Sequence, residues 1–320
     1  MLLYILFVAG FVLLIKGADV LVDGASSIAK RYGLPDMVVG LTIVSFGTSM
    51  PELIVNVLAS IQGQPELAIG NVFGSNVANL LLILGVTAII CPLPIKRNTI
   101  LTEIPFSLIA TLLVGFLANA TLFQSKEGLS IGRLDGAILL FFFFLFMVYI
   151  YNIAKTNKDE VLPETDTPIM PIGKSVFYVL LGMGGLFLGG KWVVDGAVSI
   201  AQYFGLSESF IGLTVVAIGT SLPELVTSAM AAYRRNIDIA VGNVVGSNIF
   251  NLLWILGISA IINPLPFDVM SNSDIVMMIL ASTLLILAMP IGKRNAIDRW
   301  NGVFFLIVYV AYIVYLVMRG

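Results

Sequence analysis

Two segments of this 320-residue chain nearly repeat each other, and they decide how the rest of the sequence is interpreted. The first segment reads GTSMPE at residues 47–52 and GNVFGSNVAN at residues 70–79. The second reads GTSLPE at residues 219–224 and GNVVGSNIFN at residues 242–251, so equivalent positions lie 172 residues apart. Each hexapeptide ends in a glutamate, within a segment otherwise apolar enough to cross a membrane. An ionisable group at that depth is costly, so two of them in a duplicated chain indicate a cation pathway.

The composition is that of an integral membrane protein. Hydrophobic residues make up 58% of the chain and charged residues 11%, with a mean hydropathy of +1.01, whereas a soluble domain carries about 25% charged residues. The chain has no histidine and a single cysteine, Cys91. This excludes an internal disulfide and removes the usual zinc, copper and haem ligands. We therefore predict no cofactor, and any proton chemistry must run through Asp or Glu.

The hydropathy pattern predicts an all-α polytopic protein with ten transmembrane helices, because a span needs about 20 mostly apolar residues. The predicted spans are residues 2–25, 37–61, 67–91, 100–121, 132–154, 175–199, 210–233, 239–262, 272–290 and 298–318. No basic segment precedes the first of them and no small-residue cleavage site follows it. Met1 to about Ala25 is thus expected to be a retained helix rather than a signal peptide.

The spans form two halves, predicted as residues 1–154 and 175–320, joined by a polar linker at residues 155–174. Gly17–Ile95 aligns without a gap onto Gly189–Phe267, with about half of the positions identical. Five helices per half is an odd number, so the second half must enter the membrane in the opposite direction. This predicts two inverted five-helix repeats, an architecture shared by many secondary transporters.

Basic residues in the loops agree with the ten-span arrangement. Twelve fall on one side of the membrane: Lys30, Arg31, Lys96, Arg97, Lys155, Lys158, Lys174, Arg234, Arg235, Lys293, Arg294 and Arg299. Three fall on the other side: Lys126, Arg133 and Arg319. By the positive-inside rule the first side is cytoplasmic, which predicts a plasma-membrane protein with both termini external. Lys16 and Lys191 lie towards the ends of their spans and are expected to reach the interface.

Pro51 interrupts the second span next to Glu52. Because proline has no N–H, the carbonyl of Gly47 loses its helical partner. In hydrocarbon such a group is tolerated only where protein or a water-filled cavity satisfies it. Thr48 and Glu52 are four residues apart and share a helix face. The same arrangement recurs in the seventh span with Thr220, Pro223 and Glu224.

Polar residues recur every four positions in the third and eighth spans, and so form a stripe on one face of each helix. The stripes are Asn71, Ser75 and Asn79, and Asn243, Ser247 and Asn251. Carboxylate, hydroxyl, amide and carbonyl oxygens without sulfur or imidazole suit calcium and, with fewer ligands, sodium. The glycines beside the stripes also fit plain helix packing. Asn76 and Asn248 can equally serve only to bridge helices. Glu52 and Glu224 lack a basic partner at the same depth, which favours a functional role for them.

The doubled GTSxPE and GNxxGSN motifs resemble the alpha repeats of the cation/calcium exchanger superfamily, particularly the compact prokaryotic sodium/calcium exchangers. The resemblance covers essentially the whole chain. It implies a central site between the second, third, seventh and eighth helices, with the first and sixth helices sliding to expose it to either side. The implied ligands are Glu52 and Glu224, backbone carbonyls of Thr48, Thr220, Ser45 and Ala217, outlying sodium ligands Ser75 and Ser247, and Asn79 and Asn251 in the middle.

The chain departs from this family pattern at Asn251, where some prokaryotic and potassium-dependent relatives carry an aspartate. The predicted core therefore holds two carboxylates, which match one calcium ion in charge, and the departure argues against potassium co-transport.

The leading hypothesis is a sodium/calcium antiporter that works by alternating access and is not an enzyme. The predicted partners are calcium, sodium and the lipid bilayer, with neither nucleic acid nor an obligate protein partner. Calcium/proton exchange on the same scaffold is the alternative, with the two glutamates carrying the protons. A calcium-permeable channel is a third possibility, but a channel needs a continuously open path, and an inverted pair of broken helices fits alternating access better.

Overall fold

The structure is a computed structural model that describes residues 2–120, 128–156, 169–204, 217–289 and 296–319. Helices dominate it: α1 (Leu2–Tyr32), α2 (Asp36–Val39), α3 (Ser45–Thr48), α4 (Met50–Ile61), α5 (Pro65–Val77), α6 (Leu84–Ile90), α7 (Arg97–Leu101), α8 (Glu103–Asn119), α9 (Arg133–Thr156), α10 (Ile172–Tyr203), α11 (Ala217–Thr220), α12 (Leu222–Tyr233), α13 (Ile237–Ile249), α14 (Leu256–Ile262), α15 (Asn272–Ala288) and α16 (Arg299–Arg319). Wider π-helical turns join several of them at Gly40–Val44, Ala78–Ile83 and Phe250–Ile255.

Among the described residues, eight helices are long and apolar enough to cross a membrane. A ninth candidate is the pair Asp36–Thr48 and Met50–Ile61, bent by 48° at a short break. The chain is thus a multi-pass membrane protein. The structure shows at most nine candidate spans in its described part, fewer than the ten predicted. The predicted span 210–233 begins outside the described residues, and only α11 and α12 represent it. Most of the predicted linker, residues 157–168, also lies outside the described part.

The predicted helical fold class is confirmed, and the structure adds four short strands that the sequence did not predict. Strand β1 (Leu93–Pro94) pairs antiparallel with β4 (Ala296–Ile297), and β2 (Leu129–Ile131) pairs antiparallel with β3 (Leu265–Phe267). Each pair joins a strand of the first half to a strand of the second. Segments of two or three residues are too short for hydropathy to reveal, because the signal of a strand is alternation over several positions.

Two continuous helices form the centre of the bundle. The apolar windows of Pro65–Ile90 and Ile237–Ile262 are 72% and 78% buried within the protein, whereas no other single-helix span exceeds 39%. These two spans carry the GNxxGSN motifs, and the surrounding helices leave large apolar side chains on the outside for lipid. The polar stripes are therefore sealed inside protein rather than facing the bilayer, as intramembrane polar groups require.

Helices α1 and α10 cross the molecule as a close antiparallel pair, because glycines remove the side chains between their backbones. A Cβ on Gly10 would come within 2.9 Å of the carbonyl oxygen of Gly189, and one on Gly24 within 2.7 Å of that of Ser175. Such small-residue contacts let membrane helices gain packing energy without a hydrophobic driving force. The first helix also extends to Tyr32, seven residues beyond its predicted end.

This packing predicts that Gly182→Ala destabilises the protein. The added Cβ would lie 2.7 Å from both the carbonyl oxygen of Gly17 and the Cβ of Leu21, so the backbones must separate. Overpacking of this kind costs about 1–3 kcal/mol, which we expect as a lower melting temperature in detergent. The matched control is Gly184→Ala on the same helix, where a Cβ meets no atom within 4 Å. Equal melting temperatures for the two variants would contradict the close contact.

Candidate functional site

Both GTSxPE segments form a helix break beside their glutamate. Ser49, with φ −82° and ψ 8°, separates α3 from α4, and Ser221, with φ −85° and ψ 4°, separates α11 from α12. In each case proline occupies the first turn of the following helix, where its missing N–H is least costly. The predicted interruption at Pro51 and Pro223 is therefore confirmed in the helices that the structure describes.

The two glutamates are buried at these breaks. Glu52 and Glu224 are 0% and 1% exposed, and they lie close enough to interact electrostatically. The hydroxyl of Ser49 donates a hydrogen bond of 3.0 Å to Oε1 of Glu224. Among the described residues, neither oxygen of Glu52 has a hydrogen-bond partner, and Oε2 of Glu224 has none either. Three buried carboxylate oxygens thus lack a donor, although an unpartnered buried acceptor is costly.

Threonine hydroxyls link each broken helix to the central helix of the other half. Thr48 Oγ1 lies 3.0 Å from Asn243 Oδ1, and Thr220 Oγ1 lies 3.3 Å from Asn71 Oδ1. Asn243 in turn donates through Nδ2 to Ser228 Oγ at 2.9 Å. The duplicated motifs therefore meet across the molecule as well as within the second half.

Four asparagines form a crossed network between the two central spans, Pro65–Ile90 and Ile237–Ile262. Nδ2 of Asn79 donates to Oδ1 of Asn248 at 2.9 Å, and Nδ2 of Asn251 donates to Oδ1 of Asn76 at 3.0 Å. Asn76 and Asn248 also donate to each other's backbone carbonyls, at 3.3 and 3.5 Å. Oδ1 of Asn79 and Oδ1 of Asn251 are buried without a partner among the described residues. Each of the four amide nitrogens thus donates a hydrogen bond within the network, and the side-chain oxygens of Asn79 and Asn251 remain without a partner.

The other predicted site residues are Ser75, Ser247, Ser45 and Ala217. Ser75 and Ser247 are buried, Ser75 beside Glu52 and Ser247 with its Oγ 3.5 Å from the hydroxyl of Thr48. The carbonyl of Ser45 already accepts from the N–H of Ser49 at 2.9 Å. Ala217 is the first described residue of α11, and its side chain and preceding neighbours lie outside the described part.

The sequence alone did not reveal Ser49 as a neighbour of Glu224, nor Asn71 and Asn243 as partners of the threonines. Their repetition in the sequence could have pointed to them, because Ser49, Asn71 and Asn243 occupy motif positions that are present in both halves. Asn76 and Asn248 do bridge helices, as one interpretation held, and they also orient Asn79 and Asn251.

The donor set fits a hard cation. Two carboxylates, amide oxygens and hydroxyls are ligands that calcium and sodium accept. No described group of three or more His, Cys, Asp or Glu residues could hold a metal ion, so the acidic part of the site is limited to Glu52 and Glu224. Unpartnered oxygens from four side chains supply the acceptors that a dehydrated cation would require.

Comparison with known proteins relates the chain to ion exchangers. The family model described as "Sodium/calcium exchanger protein" matches residues 2–152 and 174–318. The chain is 39% identical to the "Putative antiporter CaxA" of Alkalimonas amylolytica, covering 95% of each chain. It is 33% identical to the "Sodium/calcium exchanger MaX1" of Methanosarcina acetivorans, covering 98% of each. A solved structure of the sodium-calcium exchanger NCX_Mj, soaked with 100 mM Na+ and 10 mM Sr2+, superposes with a TM-score of 0.80 at 32% identity over 98% of both chains.

Proposed function

Because the chain belongs to the sodium/calcium exchanger protein family, a family of secondary transporters rather than enzymes, we propose that it exchanges sodium for calcium across the membrane. The observation that carries this proposal is the buried pair Glu52 and Glu224, with three oxygens that lack a partner among the described residues. A pair of carboxylates balances the charge of one calcium ion, and sodium competes for the same oxygens. Cation exchange follows from the family, and the choice of sodium as the coupling ion is the proposal.

We assign the predicted ligands to this site. Glu52 and Glu224 would bind calcium and sodium directly, and Asn79 and Asn251 would complete the middle of the site through Oδ1. Ser75, Ser247, Thr48, Thr220, Ser45 and Ala217 would serve the outlying positions. The fit of hydroxyl, amide and carbonyl oxygens to sodium is what favours sodium over proton coupling.

We also propose the ten-helix architecture, with inverted repeats at residues 1–154 and 175–320 and a cytoplasmic linker at residues 155–174. Both the strand pairs and the threonine–asparagine contacts are reciprocal, because each contact from the first half to the second has a counterpart from the second half to the first. An odd number of spans per half produces inverted topology. The excess of basic loop residues on one side would place both termini outside the cell.

Asymmetry between the halves supports alternating access. Helix α1 packs along α12, whereas α10 makes much slighter contact with α4. Arg234, at the end of α12, donates to both Asp19 and Asp23 of α1. The equivalent residues of the other half are Lys191, Asp195 and Gln62, which are exposed and form no ion pair with one another among the described residues. We interpret the structure as closed on the side of Arg234 and open on the other.

Arg234→Gln is therefore expected to loosen α1 on this side. The three side chains are 29–31% exposed, so after solvent screening we expect a loss of about 1 kcal/mol of closing energy. Amide hydrogen exchange should become several-fold faster around Asp19 and Asp23. Lys96→Gln, which removes the 2.6 Å pair with Asp238 and touches neither Asp19 nor Asp23, is the control and should leave that exchange unchanged. Unchanged exchange in Arg234→Gln would contradict a closing role.

The proposal is tested with purified protein in liposomes that contain sodium, in sodium-free external buffer with radioactive calcium. We expect calcium uptake that collapses when a sodium ionophore dissipates the gradient. A parallel set of liposomes carries a pH gradient in place of the sodium gradient. Uptake driven only by the pH gradient would overturn sodium coupling in favour of calcium/proton exchange, and single-channel currents in a planar bilayer would overturn exchange altogether.

A further inference from the structure

A cavity of about 480 Å³ lies on the Arg234 side of the protein, away from the ion site. It opens where α6 and α12 end and where α13 and α16 begin. Ile90, Pro92, Pro94 and Ile237 form an apolar wall, and Arg235 and Arg299 also line the cavity. Its position at the ends of four membrane helices places it at the boundary between hydrocarbon and water.

The positive charge of this cavity is not neutralised by the acidic residues nearest in sequence. Asp238 is held in a 2.6 Å ion pair with Lys96. Asp298 accepts a hydrogen bond from a backbone N–H in the first turn of α16. Among the described residues, neither Arg235 nor Arg299 takes part in a salt bridge. Two unpaired guanidinium groups therefore line one concave surface.

The backbone at Arg235 gives an independent indication. Arg235 has φ 60°, and it is the only described non-glycine residue with a positive φ. At the equivalent turn of the first half the chain uses Gly63, with φ 68°. Left-handed backbone is unfavourable for a side chain with a Cβ and natural for glycine. Because arginine is unfavourable at this backbone conformation, its presence indicates that the side chain has a function.

The equivalent region on the opposite face does not have two arginines. Gly63 stands there in place of Arg235, and Asn263 in place of Cys91. Arg133, which begins α9 as Arg299 begins α16, donates from Nε to the carbonyl oxygen of Ile261 at 3.2 Å. The paired guanidinium groups therefore belong to one face only, and that face is the one with the excess of basic loop residues.

We propose that this cavity binds the phosphate of an anionic phospholipid headgroup, with phosphatidylglycerol as the simplest ligand. The planar guanidinium groups of Arg235 and Arg299 suit bidentate recognition of phosphate. The apolar wall would contact the glycerol and the first acyl carbons. Tyr233 and Trp300 are 77% and 80% exposed beside the two arginines, as is typical of aromatic residues at the headgroup level. Basic pockets between membrane helices on the cytoplasmic side recognise such headgroups.

The cysteine of the chain provides the measurement, because Cys91 lines this cavity and is partly exposed. The full-length protein is placed in nanodiscs of phosphatidylcholine with or without one fifth phosphatidylglycerol. The rate of Cys91 alkylation by uncharged N-ethylmaleimide is then followed by mass spectrometry. We expect phosphatidylglycerol to slow alkylation at least threefold in the unaltered protein. Inorganic phosphate added to phosphatidylcholine discs is expected to give no such protection.

Variants then test the two arginines. Arg235→Gly and Arg299→Gln, alone and together, should abolish the protection, and Gly63 indicates that the Arg235 turn accepts glycine without loss of fold. Arg133→Gln is the matched control on the opposite face and should keep the protection. The proposal is overturned if both lipid compositions give the same rate, or if the double variant stays protected. Equal protection by inorganic phosphate would overturn the lipid as the source of the phosphate.

Discussion

Glu52→Gln is expected to abolish sodium-driven calcium uptake, and Glu224→Gln is expected to do the same. Both side chains are fully buried, and the site contains no other described carboxylate that could replace the lost charge. A divalent cation would then be held by a single negative charge at a position where both glutamate side chains are buried. Removing one partner of a buried ionic contact costs about 3–5 kcal/mol, which corresponds to a loss of affinity of more than a hundredfold.

Two measurements separate loss of binding from loss of fold. Calorimetric titration with calcium should give no detectable binding to either variant. The melting temperature in ion-free buffer should not fall, because neutralising one of two adjacent buried carboxylates relieves their repulsion. Added calcium should raise the melting temperature of the unaltered protein and leave that of the variants unchanged, since a ligand stabilises only the state that binds it.

Glu66→Gln is the matched control, since Glu66 lies in the exposed first turn of α5 and outside the site. It should retain both uptake and the calcium-dependent rise in melting temperature. Uptake by Glu52→Gln at a rate near that of the unaltered protein would contradict the assignment of Glu52 as a principal ligand.

The helix breaks and the buried glutamates could be predicted because they depend on local chemistry. The missing N–H of Pro51 and the cost of a carboxylate in hydrocarbon are properties of single positions. The duplicated motif then predicts that whatever forms at Glu52 also forms at Glu224. Hydropathy located most spans for the same reason, since each is a continuous run of apolar residues.

Contacts between helices could not be predicted in this way. The donation from Ser49 to Glu224 depends on how the two broken helices are rotated towards each other. The ion pairs of Arg234 with Asp19 and Asp23 depend on α1 passing close to the end of α12. Helix α1 also continues beyond its predicted end, because Ser26 and Ser27 are buried against other helices rather than exposed in a loop. A hydropathy profile shows that these two serines are polar, but it cannot show which residues they contact in the fold.

Asn248→Leu is expected to weaken calcium binding although Asn248 presents no free oxygen to the ion. Its Oδ1 accepts from Nδ2 of Asn79 at 2.9 Å, and this bond determines that Oδ1 of Asn79 remains free. Leucine fills a similar volume without an acceptor, so the amide of Asn79 can turn and direct N–H groups at the cation. Exchanging an acceptor for a donor at a charged ligand costs about 1–3 kcal/mol, or a loss of affinity of about fivefold to 150-fold.

A second substitution at the same position tests orientation against mere packing. In Asn248→Asp the carboxylate still accepts from Asn79, so the orientation of that amide is kept and calcium affinity should not fall. Asn119→Leu is the control, because it removes the reciprocal amide pair with Asn272, 2.7 and 3.0 Å long, between α8 and α15. It should lower stability without changing the dissociation constant. If Asn248→Leu binds calcium as tightly as the unaltered protein, the crossed asparagines serve only to join the two central spans, and the free oxygen of Asn79 is set by other contacts.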